Sequence, residues 1–314
     1  MSSDSQALQN STSKFNWALV SIGAAVLAFF YGYIPLFANG NVSTFEWLVN
    51  NWNQETNYEH GFLVPILMIG LIIYRWADLK KMPHTTAWTG LLVLIFGITL
   101  FVLGVWLTQA RISVGSFSIV IWGAVLFLFG WRVAWATLVP IFLLYSAIYI
   151  PGLQQATNGL QLIATEIADK GAQLLGIATI RTGNTISSAV EGAWGFDIAE
   201  GCSGIRSLMA MVLISVVYAY IAKLVLWKKV VVCLMAIPLA IMVNAIRITT
   251  ILLIADLGFE KFAEGIYHDY APFFIFPLGI AGLLLVHAIL QWPDRRKTRV
   301  IIKRTGTETA PSLD

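Results

Sequence analysis

Of the 314 residues, 58% are hydrophobic and only 12% are charged, with a formal net charge of +3 at pH 7. That composition excludes an ordinary soluble domain of this length and points to a chain that crosses a membrane several times. Two cysteines are too few for a disulfide framework, and the small basic excess gathers beside apolar stretches, as topological anchors at anionic lipid do and nucleic-acid sites do not.

A bilayer core about 30 Å thick takes roughly 20 apolar residues per helix. Eight stretches qualify, at about 17–37, 61–76, 88–107, 117–130, 133–150, 203–222, 230–255 and 270–292. The fourth is short and hardly separated from the fifth, so the count lies between seven and nine. The expected fold is an all-α polytopic membrane protein of about eight transmembrane helices, with a small outer cap between helices five and six. The first stretch is not a cleaved signal peptide: its apolar run is too long, and Tyr31, Tyr33, Ile34, Pro35 and Leu36 offer no small-residue cleavage site.

Residues 1–13 are polar and read as a disordered cytoplasmic leader, 14–294 as the integral membrane domain, and 295–314 as a basic cytoplasmic tail. Counting eight helices puts Lys14, Arg75, Lys80, Lys81, Arg132, Lys223, Lys228, Lys229 and the cluster Arg295–Arg304 on one side. By the positive-inside rule that side is cytoplasmic, with both termini inside.

The first outer loop, 38–60, ends in Tyr58-Glu59-His60-Gly61-Phe62-Leu63-Val64-Pro65. A Glu–His pair at the mouth of a helix suits a proton relay, a metal ligand, or a structural or substrate-positioning role; no second His or Cys cluster gives a metal spacing, which favours the last. His84, beside Lys80 and Lys81, reads as a solvated residue. Helices three to five hold few polar groups and read as scaffold, while Trp17, Trp76, Trp88, Trp106, Trp131 and Trp292 stand near helix ends as an interfacial belt.

Residues 151–201 form the outer cap. Apolar residues recur near every 3.6 positions from 153 to 175, which predicts an amphipathic helix lying in the outer interface. A short hairpin turning at Gly183-Asn184 follows, and then an extended piece, Phe196-Asp197-Ile198-Ala199.

The cap leads into Glu200-Gly201-Cys202-Ser203-Gly204-Ile205-Arg206. Cys202 falls at the start of the sixth span, where unpaired N–H groups and the helix dipole favour a thiolate, and Arg206 adds a positive charge one turn on. Taken alone, Cys202 also fits a small buried residue. In the seventh span, after Pro238, Asn244 and Arg247 share one helical side in the outer half; an intramembrane Arg is costly and is retained for a partner or a job. His268 enters the last span from the same face. Thiol, guanidinium and imidazole suffice for acyl transfer, as nucleophile, oxyanion donor and proton carrier. Cys233 and His287, on the inner half, read as a core or lipid-facing filler and a satisfied core histidine.

These segments, with Asn244-Ala245-Ile246-Arg247 and the early Tyr58–Pro65 run, resemble the exosortase/archaeosortase family over about residues 17–292. The resemblance implies a membrane cysteine protease/transpeptidase with Cys202, Arg247 and His268 as its triad, and with Arg206, Asn244, Glu59 and His60 supporting or positioning substrate. It implies no cofactor and no metal. Its partners would be membrane lipid and exported proteins bearing a C-terminal sorting signal: a short motif such as Pro-Glu-Pro, a transmembrane helix and a basic end. The active site would face the outside of a bacterial inner membrane, in a single-domain form of the enzyme, with no nucleic acid and no particular oligomeric state implied. Gly201 stands where many members carry Ala. Two rivals use the same residues: a membrane endopeptidase with water as acceptor, and a transporter whose ion path is lined by Arg247 and His268. Against the transporter, the polar residues gather at one face and no inverted repeat is apparent.

Overall fold

A computed structural model describes residues 17–37, 40–53, 55–198 and 205–305, with backbone alone at 17–20, 154–157, 268–269, 272 and 293–305. The predicted leader, Cys202 and the last part of the tail lie outside the described residues. The chain divides into two compact units, Met1–Tyr149 and Ile150–Asp314.

In the first unit, α1 (Trp17–Leu27) runs into a π-helical turn, Ala28–Tyr33, and ends there. Pro35 lacks an N–H and pushes Ile34 into an extended conformation (φ −75, ψ 121), so the last residues of the first predicted span form strand β1 (Pro35–Phe37). β1 pairs antiparallel with β2 (Val42–Ser43). Ser43 then opens α2 (Thr44–Asn50) with a capping box, its hydroxyl accepting from Glu46 N and the Glu46 carboxylate accepting from Ser43 N. A 3-10 turn, Glu59–Phe62, leads to α3 (Leu63–Tyr74) and α4 (Trp76–Leu79).

α5 (Thr89–Trp106) and α6 (Ala110–Phe129) form an antiparallel hairpin set by glycine. Gly90, Gly97 and Gly104 recur every seven residues on one buried face. A Cβ at Gly97 would lie 3.0 Å from Val120 N, and one at Gly90 2.2 Å from Phe127 N, so the two backbones touch. The fourth span thus starts at Ala110, seven residues before the expected 117. Ser113, Ser116 and Ser118 hid it, yet all three are buried and donate to carbonyls of Phe101, Ser113 and Ile141. Gly130, at φ 83, separates α6 from α7 (Trp131–Phe142), which tightens after Pro140 into a 3-10 turn, Leu143–Ala147.

The second unit is built around the helix α10 (Leu226–Asp256). α8 (Leu153–Leu174) precedes a three-stranded antiparallel sheet of β3 (Thr179–Thr182), β4 (Thr185–Ser188) and β5 (Gly195–Asp197). Thr182 pairs with Thr185 across Gly183 (φ 64), so the hairpin turns where its sequence indicates. α9 (Ile205–Ile221), α10 (Leu226–Asp256), the single turn α11 (Glu260–Phe262), a π-helical turn Ala263–Tyr267 and α12 (His268–Thr305) follow. α12 continues through the first part of the expected tail.

The expectation for α8 changes. Ala168 and Ala172 are fully buried in one core with Ala245, Ile248, Ile251, Leu252 and Ala255, and a Cβ at Gly171 would approach Thr249 Oγ1 to 2.9 Å. Its small-residue stripe therefore packs along the far half of α10, while Leu162, Ile163 and Leu174 stay exposed on the other side. The sheet joins the same core through Ile177, Ile186, Trp194 and Ile198, fixing the strand that leads toward residue 199. At the other end of α10, Lys228 is a buried residue of the first turn and donates from Nζ to Leu290 O at 2.7 Å.

Among the described residues, four helices are long and apolar enough to cross a membrane: Thr89–Trp106, Ala110–Phe129, Leu226–Asp256 and Phe273–Trp292. Shorter apolar helices, Ser21–Tyr33, Glu59–Tyr74, Trp131–Ala147 and Ile205–Ile221, fall in the other four expected stretches. Trp76, Trp88, Trp106 and Trp131 are exposed near helix ends, and Trp292 is exposed where the apolar part of α12 stops, as a belt requires.

Candidate functional site

The site begins on α10. At 31 residues this helix is ~46 Å long at 1.5 Å per residue, longer than a hydrocarbon core of ~30 Å. Arg247 stands 19 residues beyond Lys228, about 28 Å along the axis, a separation close to the thickness of such a core. The turn that carries it is pinned by hydroxyls. Thr250 Oγ1 donates to Arg247 O at 2.8 Å and accepts from Tyr267 Oη at 2.8 Å; Thr249 Oγ1 donates to Ala245 O at 2.9 Å. Tyr267 is the residue before His268. Through that bond the start of α12 is tied to the Arg247 turn, and Ala271 and Ile275 pack on Val243 just below it.

α9 completes the arrangement. Ile205 and Leu208 meet Ala240, Ile241 and Asn244 around a small shared cavity that α8 closes with Leu160, Gln161 and Ala164. The first turn of α9 therefore lies against Asn244. Cys202, three residues ahead of Ile205 in sequence, lies outside the described residues.

Between α9, α10 and α12 opens a cleft of about 340 Å³. Arg206, Ser207 and Ala210 line it from α9, Val243, Asn244 and Arg247 from α10, and Phe273, Ile275, Phe276 and Pro277 from α12. Three residues singled out in the sequence, Arg206, Asn244 and Arg247, thus share one wall system. Arg206 is exposed and Arg247 half-buried. Asn244 is 3% exposed, and its Oδ1 has no hydrogen-bond partner among the described residues. The two guanidinium groups give an otherwise apolar cleft its donors, while the Asn244 oxygen is buried behind its wall. His268 is the first residue of α12; of its side chain nothing is described. Ser207, Thr250, Tyr267 and the aromatic wall of α12 are additions that no sequence motif marked.

Glu59 and His60 belong to the first unit, where His60 has a defined task. Its Nε2–H donates to Ser146 O at 3.0 Å, while Trp52 Nε1 donates to Ala147 O at 2.9 Å and Arg111 Nε to Tyr149 O at 3.2 Å. These side chains satisfy carbonyls at the end of the 3-10 turn that follows α7 and just beyond it. Gly61 is required here, since a Cβ would fall 2.3 Å from the Trp52 ring. His60 stands ahead of α3, outside the spanning helix, and burial pushes its pKa below the ordinary 6.5 against the raising effects of the Ser146 carbonyl and Glu59. Its Nδ1 has no partner among the described residues.

Cys233 contacts Ser215 O at 3.8 Å, as a filler does. His287 packs edge-on against Tyr218, with ring centroids 5.5 Å apart. Its buried Nδ1 lacks a partner among the described residues, so the ring is packed but not fully satisfied. Among the described residues, no three of His, Cys, Asp and Glu come together as a metal site.

A family model described as transmembrane exosortase matches residues 52–285, well over half of the chain and the whole stretch from Glu59 to His268. No curated protein matches the chain, and no solved structure does.

Proposed function

The chain belongs to the transmembrane exosortase family, and from that premise we propose that it is a cysteine transpeptidase that cleaves the C-terminal sorting signal of exported proteins at the outer face of a bacterial inner membrane. The observation that carries this reading is the single cleft shared by α9, α10 and α12, lined by Arg206, Asn244 and Arg247. Cys202 immediately precedes one of those helices, and His268 begins another.

The chemistry proceeds in two stages. The Cys202 thiolate attacks the scissile carbonyl carbon, forming a C–S bond, and the oxyanion is held by the Arg247 guanidinium. The C–N bond then breaks as His268 gives a proton to the leaving amine, which departs with the signal's transmembrane helix. An acceptor amine, deprotonated by His268, attacks the thioester and regenerates the thiolate. Arg206 holds the extended substrate through an acidic side chain, and Asn244 supports the wall that carries Arg247. The phenyl rings of Phe273 and Phe276 supply an apolar wall for the adjoining motif.

The reading is tested with Cys202→Ala, Cys202→Ser and Cys233→Ala, co-expressed with a substrate bearing a sorting signal. Both Cys202 variants are expected to insert normally and leave the substrate uncleaved, while Cys233→Ala cleaves at the normal rate. Cleavage by Cys202→Ala at the normal rate would overturn the assignment. Mass analysis of the product separates transfer to an amine from release by water.

A further inference from the structure

The first unit holds a second opening, remote in chemistry from the cleft. A groove of about 390 Å³ runs between α3, α6 and α7, within the size range of ligand sites. Its depth is lined by Ile121, Val125, Val133 and Ile141, and its mouth by Trp76, Lys80 and His84. The polar group in its depth, the Thr137 hydroxyl, donates to Val133 O at 2.9 Å and asks nothing of an occupant. Water finds few partners along such an apolar lining.

The mouth has the opposite character. Lys80 and His84 are both exposed, and Lys80 Nζ stands 5.2 Å from the centroid of the Trp76 ring. Arg75 and Lys81 stand nearby in sequence, against one carboxylate, Asp78, and Arg132 adjoins Val133 of the groove lining. Trp76 is 46% exposed, and tryptophan is enriched at the depth where lipid headgroups begin. The groove is thus apolar along its length and cationic at its rim, beside a residue type that favours headgroup level.

We propose that this groove binds one anionic glycerophospholipid, with an acyl chain in the slot between α3, α6 and α7 and its phosphate between Lys80 and His84. The charge at the rim selects the occupant. A zwitterionic lipid brings the same chain but adds a cationic group against Lys80, and an apolar peptide helix brings no anion to the rim. The site holds a structural lipid between α3, α6 and α7, and it does not depend on the chemistry proposed for Cys202.

The test uses the full-length protein purified in a mild detergent and titrated with phosphatidylglycerol or with phosphatidylcholine of the same acyl chains, read by native mass spectrometry. Phosphatidylglycerol is expected to be retained in preference. Lys80→Ala should lower its retention about fivefold, the equivalent of one surface cation, and leave phosphatidylcholine unchanged. Val125→Trp, which fills the slot, should abolish retention of both. Equal retention of the two lipids by the unaltered protein would overturn the proposal, as would preference for phosphatidylglycerol that survives Lys80→Ala. A peptide helix retained in place of lipid would overturn it too. Lys80 is exposed, so that variant decides the matter even if Val125→Trp fails to fold.

Discussion

The two units place polar groups in apolar surroundings for opposite ends. In the first, Ser113, Ser116, Ser118, Trp52, His60 and Arg111 all turn their donors onto backbone carbonyls of the same unit. In the second, Lys228 and Thr249 do the same, but Arg206, Asn244 and Arg247 line a common cleft, and the buried Asn244 oxygen has no partner among the described residues. A polar residue in a membrane helix is costly in either case. What separates scaffold from site is the direction in which its hydrogen-bonding capacity points.

That contrast is sharpest in a pair of substitutions. Arg247→Lys keeps the charge and loses the planar fork, so turnover per inserted molecule should fall by on the order of 10²–10³ with normal protein levels. Gly97→Leu, which drives a side chain into Val120 N, should do the reverse: little protein in the membrane, with ordinary turnover in what survives. Cleavage normalised to inserted protein measures both, and a Gly97→Leu variant that is abundant but inactive would break the division between the units.

A smaller effect is expected at Tyr267→Phe, which removes the bond to Thr250 that ties the start of α12 to the Arg247 turn. The loss is about 1 kcal/mol, or roughly fivefold. If Tyr267 positions the site, kcat falls while the melting temperature hardly moves; a purely structural bond would lower the melting temperature alone.

In the first unit, acid is the gentler probe. His60 has a folded-state pKa below 6.5, so the unfolded chain takes up its proton first as pH falls. The stabilisation is fully present above about pH 6.5 and is lost on acidification below it. His60→Gln keeps an N–H for Ser146 O without titrating, and the drop in melting temperature between about pH 8 and about pH 5.5 should shrink in that variant. Least of all should change with Lys170→Ala. The Glu166–Lys170 pair is exposed, and although Lys170 lowers the Glu166 pKa, such surface pairs contribute little.

Much of this arrangement is legible in the residues. Each of the eight apolar stretches contains an apolar helix, the 153–175 periodicity gives α8 to within one residue, and Gly183-Asn184 marks its turn. The start of α6 was not legible, because hydropathy counts a serine as polar whether or not its hydroxyl is satisfied by a carbonyl of its own helix or of a neighbour. Nor was the packing of α8 on α10: a 3.6 period gives an apolar face, and says nothing of whether lipid or Ala245 covers it. At the site, the side-by-side placing of Asn244 and Arg247 follows from helical spacing. The Thr250–Tyr267 bond joins residues 17 apart through a loop and left no periodic trace.

The most direct test of thiol chemistry in the second unit is the intact mass of the protein, taken during turnover of a substrate that carries a sorting signal. The expected result is an adduct equal to the substrate's upstream fragment, located on the peptide containing Cys202, released by hydroxylamine and absent from Cys202→Ala. Continued cleavage by Cys202→Ala, or an adduct mapped to any other residue, would contradict it.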